Sequence, residues 1–225
     1  MSFSRFMWLL QRRRLWIARA DQLDDPWELA ITPTYLQEAL GRGPITLVGQ
    51  ERRETNEMHA EKVYNHWRKT TFISCWCASE HESHALWRVF CGDTEGVSIQ
   101  TTVGALEENF GNVPVRRVLY SEPGRLGRTL TRDDVATLKR PFFDFEHEAR
   151  AIVSNDIQNP KLNRGELGCD FPFNPEVILE RVAIHPQSDN TFYETVLSAI
   201  DNYAPSLKSK VSWSRMRDKP PFYKE

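Results

Sequence analysis

The chain has 225 residues, a formal net charge of −2 and four cysteines, with an isoelectric point near 6.3. That length supports one large domain with a full hydrophobic core or, at a stretch, two small ones, and that charge excludes the broad basic footprint of a general nucleic-acid-binding protein. No apolar run approaches the roughly 20 residues that cross a bilayer, no signal peptide opens the chain, and the irregular cysteine spacing fits a reducing compartment, so the expectation is a soluble cytoplasmic protein.

Phe3, Phe6, Met7 and Leu10 recur at helical spacing and predict an N-terminal amphipathic helix, with Arg12 to Arg14 at its exposed end. Leu15 to Arg19 reads as a strand with Arg19 on the face of Leu15 and Ile17. Arg19 is then either a snorkelling strand-end charge or an anion-binding guanidinium facing a cleft. Asp21 to Glu28 is a turn in which Pro26 holds Asp25 extended. Its aspartates read as caps and Asx turns ahead of metal ligands, because a hard cation needs several converging oxygens. Tyr35 to Leu40 predicts a short helix ended by Gly41, and Ala60, Val63, Tyr64 and Trp67 mark the buried stripe of a longer one.

The densest set of chemically capable side chains runs from Thr71 to Thr102. Phe72 to Trp76 reads as a strand. Ser79-Glu80-His81-Glu82 reads as a capping box opening a helix that ends near Cys91 at Gly92. Helical pitch places Ala85, Leu86, Val89 and Phe90 on its core side, with Ser83 and Trp87 at the edge of that face. Gly96 to Thr101 alternates as a half-buried strand does.

Val115 to Tyr120 follows as a strand, and Thr131 opens a minor helix. Ser154 to Pro175 reads as an irregular loop. Val177 to Ile184 is a strand closed by His185-Pro186. Phe192, Val196, Leu197 and Ile200 give a last amphipathic helix, before a short strand from Lys210 to Trp213 and a Pro-rich tail from residue 215 to 225. With no repeat or linker, the sum is one α+β domain over residues 1–225, a mixed or antiparallel sheet flanked by helices.

Two constellations carry chemistry. In Phe145 to Val153, period-two alternation puts Glu146, Glu148 and Arg150 on one strand face. Carboxylates in that arrangement either stabilise a developing positive charge or form a solvated salt-bridge ladder. Cys75, Cys77, His81 and His84 form a compact run of zinc-capable side chains, but its spacing departs from known knuckles, so a structural cysteine and exposed histidines are the expectation, with no metal. A Cys nucleophile with a His base has no fixed geometry in the sequence, and there is no phosphate loop, nucleophile elbow or His-Glu-x-x-His helix.

Several stretches together bear a resemblance: Leu15-Trp16, Leu23-Asp24-Asp25-Pro26-Trp27-Glu28, Ser74-Cys75-Trp76, Glu82-Ser83, Leu86-Trp87, Lys139-Arg140 and Glu146-His147-Glu148 with Arg150. In this order they resemble the bacterial family called domain of unknown function 2971, with Phe90 where that family often has Tyr and Cys77 where His is common. An Arg on an early strand, a Ser on a middle strand and Glu-x-Glu on a late one resembles, more distantly, the Arg–Ser–Glu type of ADP-ribosyltransferases. That resemblance implies that Arg19 and Ser74 take the dinucleotide-binding and strand-ordering roles; Trp76, Trp87 and Asp25 are further candidates for the cofactor-binding side. It implies Glu148 as the catalytic carboxylate, Glu146 as its partner and Arg150 as their neighbour.

The first functional expectation is therefore an NAD-consuming glycosyl-transfer enzyme, a toxin or phage-defence effector, taking a small-molecule nucleotide with a nucleic-acid or protein acceptor, and no membrane partner. The second is a metal-dependent nuclease using Asp25, Glu28, Glu146 and Glu148. The third is a non-catalytic nucleotide- or peptide-binding module with Trp76 and Trp87 lining its cleft.

Overall fold

In the computed structural model, which describes residues 1–30, 56–92, 95–111, 113–122, 131–154 and 163–220, the elements run in chain order from helix α1 (Phe3–Arg12) to strand β1 (Arg14–Arg19), α2 (Asn56–Thr70), β2 (Thr71–Cys77), α3 (His84–Cys91), β3 (Val97–Gln100) and α4 (Val103–Asn109). They continue with β4 (Val115–Arg117), β5 (Leu119–Tyr120), α5 (Arg132–Ala136), β6 (Leu138–Lys139), β7 (Glu148–Ser154), β8 (Asn163–Arg164) and β9 (Gly168–Pro172). The last are α6 (Pro175–Ile178), β10 (Arg181–Ile184), α7 (Asn190–Tyr203) and β11 (Val211–Trp213). The fold is α+β with antiparallel and mixed sheets. The expected helix from Tyr35 to Leu40 lies outside the described residues.

The chain forms two compact units, one from Met1–Trp16, Ser79–Asn112 and Asp170–Glu225, the other from Ile17–Ala78 and Val113–Cys169. The first unit holds a three-stranded mixed sheet in which β10 pairs antiparallel with β3 and parallel with β11. Its core comes from the amphipathic faces of α1 (Phe6, Leu9, Leu10) and α7 (Val196, Ala199, Ile200). Asp189 caps α7 by accepting from the Phe192 N–H at 2.8 Å.

The second unit is built on β7, which lies between β2 and β4, antiparallel to both, while β1 pairs antiparallel with the other edge of β2. A central strand buries both faces, and from Glu148 to Val153 every β7 residue is buried. An apolar cluster of Ala20, Leu29, Ile73, Val135, Ala136 and Ile152 packs on one side, joined by Trp67 of α2. Thr131 opens α5 with a full capping box to Asp134.

Five expectations need correction. Ser79 and Glu82 do not cap α3; Ser83 does, accepting from the Leu86 N–H, because Glu82 has stronger partners elsewhere. On α3 the buried side chain is Trp87, while Val89 and Phe90 are 59% and 53% exposed, so the stripe expected to face the core does not. Within the expected irregular loop, Gly168–Pro172 is a strand with both faces buried and hence no alternation to read. Val177 starts no strand: Asn174 as N-cap and Pro175 at the first helical position impose the turn α6, which overrides β-branched propensity. The expected strand from Val115 also breaks at Val118, leaving β4 in one sheet and β5 in another.

Among the described residues, no helix is long and apolar enough to cross a membrane. Where α3 returns to β3, a Cβ added at Gly96 would overlap Cβ and Sγ of Cys91. Gly96→Ala is expected to destabilise by about 1–3 kcal/mol, as overpacking does, read as a lower urea midpoint at unchanged slope.

Candidate functional site

The site grows out of strand register. Across β2 and β7, Cys75 lies opposite Arg150, Cys77 opposite Glu148 and Ile73 opposite Ile152. Directly opposed residues share a face, so one face carries Ile73, Cys75 and Cys77 with Ile152, Arg150 and Glu148. It grades from the apolar cluster at Ile152 to charge at Arg150, then to the strand end at Glu148. The side chain of Arg150 is 0% exposed.

A buried guanidinium must have partners. Arg150 makes a forked pair with Glu28, Nη1 and Nη2 each 2.7 Å from a carboxylate oxygen, and Nη1 also donates to the Ala136 carbonyl at 2.7 Å. Nη2 reaches Glu148 Oε2 at 2.8 Å. Lys139 Nζ sits among three carboxylates, 2.5 Å from Glu146, 3.2 Å from Glu148 and 3.9 Å from Glu28. Above them Tyr120 accepts the backbone N–H of Glu148 at 2.8 Å. Two cations thus face three carboxylates.

These contacts set the ionisation. Burial alone raises the Glu148 carboxyl, but the Arg150 guanidinium, the Lys139 ammonium and the Cys75 thiol outweigh it and hold it below its ordinary range. Desolvation opposes the charge on Lys139, yet Glu148, Glu146 and Glu28 keep its ammonium above the usual value. Cys75 keeps solvent contact but is crowded enough that desolvation, ahead of Glu148 and Glu28 and against Arg150, pushes its thiol well up.

Of the anticipated residues, Glu148, Glu146 and Arg150 come together, though not as a strand row. Glu146 ends a 3₁₀ turn, Pro141–Glu146, and His147 at φ +43° redirects the chain into β7. Lys139, not strand alternation, gathers the two glutamates. The solvated-ladder alternative also fails, because Glu148 and Arg150 are buried. Asp25 lies in the same unit but is held by Arg140 at 2.7 Å and by the Trp27 N–H at 3.0 Å, the anticipated Asx turn. Arg19 is held by Asp21 in a fork at 2.7 and 2.9 Å.

Ser74 and Trp76 lie on the other face of β2, opposite Ala151 and Ala149, where Trp76 Nε1 donates to Ser74 Oγ at 2.9 Å. Arg19 is opposite Phe72 and shares that face. The Arg–Ser–Glu residues are therefore divided between the two faces of the sheet. Trp87 belongs to the other unit, is 5% exposed, donates to Glu82 at 3.1 Å and meets His185 edge-on with ring centroids 5.1 Å apart. Glu82 also accepts from Ser214, the Arg215 N–H and Arg181, so this pair ties segments of that unit together. Tyr120 and the placement of Lys139 were not foreseen. Lys139 stood in the Lys139-Arg140 element of the resemblance without an assigned role, and Tyr120 only at the end of an expected strand.

Among the described residues, no three His, Cys, Asp or Glu side chains form a metal-holding group. The chain matches no family model, no curated protein and no solved structure.

Arg150→Met, which strips the counter-charge from Glu28 and Glu148, is expected to cost about 3–5 kcal/mol of unfolding free energy. Pairing it with Glu28→Leu should recover part of that loss in urea titrations. Because the folded Glu148 value is depressed, its contribution is full above the unfolded carboxyl value of about 4.3 and is lost as pH falls through the folded value. The acid limb of the stability curve should therefore be shallower in Glu148→Gln than in the wild type.

Proposed function

We propose that the protein is an ADP-ribosyltransferase-like enzyme that transfers a ribosyl group from NAD, with Glu148 at the reacting centre. The observation that carries this reading is a carboxylate held ionised at the first position of a strand, fixed by Arg150 and Lys139, with Glu146 beside it. In such a reaction the ribosyl C–N bond breaks heterolytically and nicotinamide leaves with the bonding pair. The acceptor then bonds to the ribosyl carbon and releases its proton. Positive charge peaks on the sugar in the transition state, and a preorganised anion lowers that barrier. Arg150 is a positioning residue here, since a wholly buried side chain touches no ligand. Arg19, Ser74 and Trp76 lie on the opposite face, so the reading rests on the glutamates and not on those three.

The alternative is a metal-dependent nuclease using Asp25, Glu28, Glu146 and Glu148. It is less favoured because Arg140, Arg150 and Lys139 neutralise those carboxylates, and Lys139 fills the centre that a divalent cation would take.

Glu148→Gln keeps the shape and removes the charge, so nicotinamide release should fall by about 10²-fold or more with the circular dichroism spectrum unchanged. Glu146→Gln should alter acceptor choice more than NAD cleavage. No release by the wild type with any tested acceptor, or undiminished release by Glu148→Gln, would mean that the ionic cluster is architectural.

A further inference from the structure

The two-residue strands β5 and β6 pair in parallel with Tyr120 beside Lys139. So short a ladder contributes little stability by itself. Its ends are fastened by the Leu119 N–H to the Thr137 carbonyl at 2.8 Å and the Ser121 N–H to the Lys139 carbonyl at 3.0 Å. What it accomplishes is placement, since it brings a phenol and an ammonium together at Glu148. A phenol has one donor and an acceptor side. The acceptor side of Tyr120 is filled by the Glu148 N–H, and its O–H donates to no described residue.

Desolvation is the leading cause that raises the Tyr120 value, with Glu148 and Glu146 adding to it against the Glu148 N–H and Lys139. The hydroxyl therefore keeps its proton at neutral pH. Tyr120 is half-buried, not sealed. The group it can serve is also constrained by charge. Three carboxylates against two cations repel an anion such as a phosphate oxygen and leave room for a neutral acceptor, the hydroxyl or ring oxygen of a sugar.

We propose that Tyr120 is a ligand-contacting residue of this site, its O–H donating to a neutral oxygen of the ribosyl group that Glu148 faces. This rests on the NAD reading above and adds to it a specificity contact that neither the Glu-x-Glu element nor the Arg and Ser positions supply. A purely architectural Tyr120 would do no more than satisfy the Glu148 N–H.

A binding cycle separates the two roles. The probes are ADP-ribose and three analogues, each lacking one oxygen of the terminal ribose: 2′-deoxy, 3′-deoxy and carbocyclic. Each is titrated calorimetrically into wild type and Tyr120→Phe. Tyr120→Phe should weaken ADP-ribose binding roughly 3- to 10-fold, the scale of one neutral hydrogen bond. For one analogue the variant and wild type should bind alike, because removing either partner already breaks the bond. Equal weakening by Tyr120→Phe across all four probes overturns the contact while leaving the NAD reading intact. Failure of the wild type to bind ADP-ribose overturns both.

If Tyr120→Phe does not fold, wild type labelled with ¹³C-tyrosine gives the same decision. A phenol that donates to the ligand resists ionisation, so ADP-ribose should move the Tyr120 titration upward and the critical analogue should not. No movement with any probe overturns the proposal.

Discussion

Placing a guanidinium in the middle of a sheet is the constraint on which the second unit depends. Arg150 has no contact with water, and an uncompensated charge at such a position costs several kcal/mol. Its cross-strand neighbours, Cys75 on β2 and Arg116 on β4, offer no carboxylate, so the compensation comes from elsewhere in the chain. Glu28 arrives on a turn that must be held in turn. Tyr64 donates to the Pro26 carbonyl at 2.5 Å, Arg140 anchors Asp25, and the guanidinium of Arg140 lies 5.8 Å from the ring centre of Trp27. Leu29, fully buried at φ +60°, shows the backbone cost of turning Glu28 inward. The Ala136 carbonyl, at the end of α5, is recruited as well.

The same demand shapes the chemistry. A lone carboxyl buried as deeply as Glu148 would be driven toward its neutral form. Here Arg150 and Lys139 reverse that, and the residues that stabilise the fold are those that keep a carboxylate charged at the strand end. Both cationic donors converge on one oxygen, Glu148 Oε2. Neither cation donates to the other oxygen. Buried ion pairs are weak evidence for stability in general, so a cluster of five charged groups is easier to understand where a fixed charge is itself useful.

The parts of this structure legible in the sequence are those whose signal is local. The stripes of α1 and α7, the strand after Arg13 and the Thr131–Asp134 box each need only a few neighbouring residues to be read. What escaped was decided at long range. Glu82 had the spacing of a helix cap, but Ser214, Arg215 and Arg181, about 100 or more positions away, offer its carboxylate more. Strand β9 is buried on both faces, Asp170 being paired with Arg14, so its polar residue read as loop. Glu146 sits one residue before an αL turn at His147, and nothing in Glu-His-Glu distinguishes a strand row from a turn entering a strand.

Order along the chain and placement on a face are separate properties, and the Arg–Ser–Glu pattern shows the difference. A sheet reverses side-chain direction at every residue, so the face of each member depends on register, which sequence order does not encode. Once Cys75 is opposite Arg150, the neighbouring Ser74 must point the other way, with Trp76 and, through Phe72, Arg19. A one-residue slip between β2 and β7 that brought Ser74 to Arg150 would set Cys75 opposite Ala149 and Ile73 opposite Ala151, driving Ile73 away from Ile152. The apolar cluster at Ile73 and Ile152 therefore fixes which of the signature residues can meet. Ser74 and Glu148 can serve one ligand only around the end of the β2–β7 pair, where Cys77 faces Glu148 and the two faces are a strand's thickness apart. The charged site is consequently defined by what the hydrophobic register allows: Glu148 with Tyr120, Lys139 and Glu146 on one side, and an independent Ser74–Trp76 pair on the other.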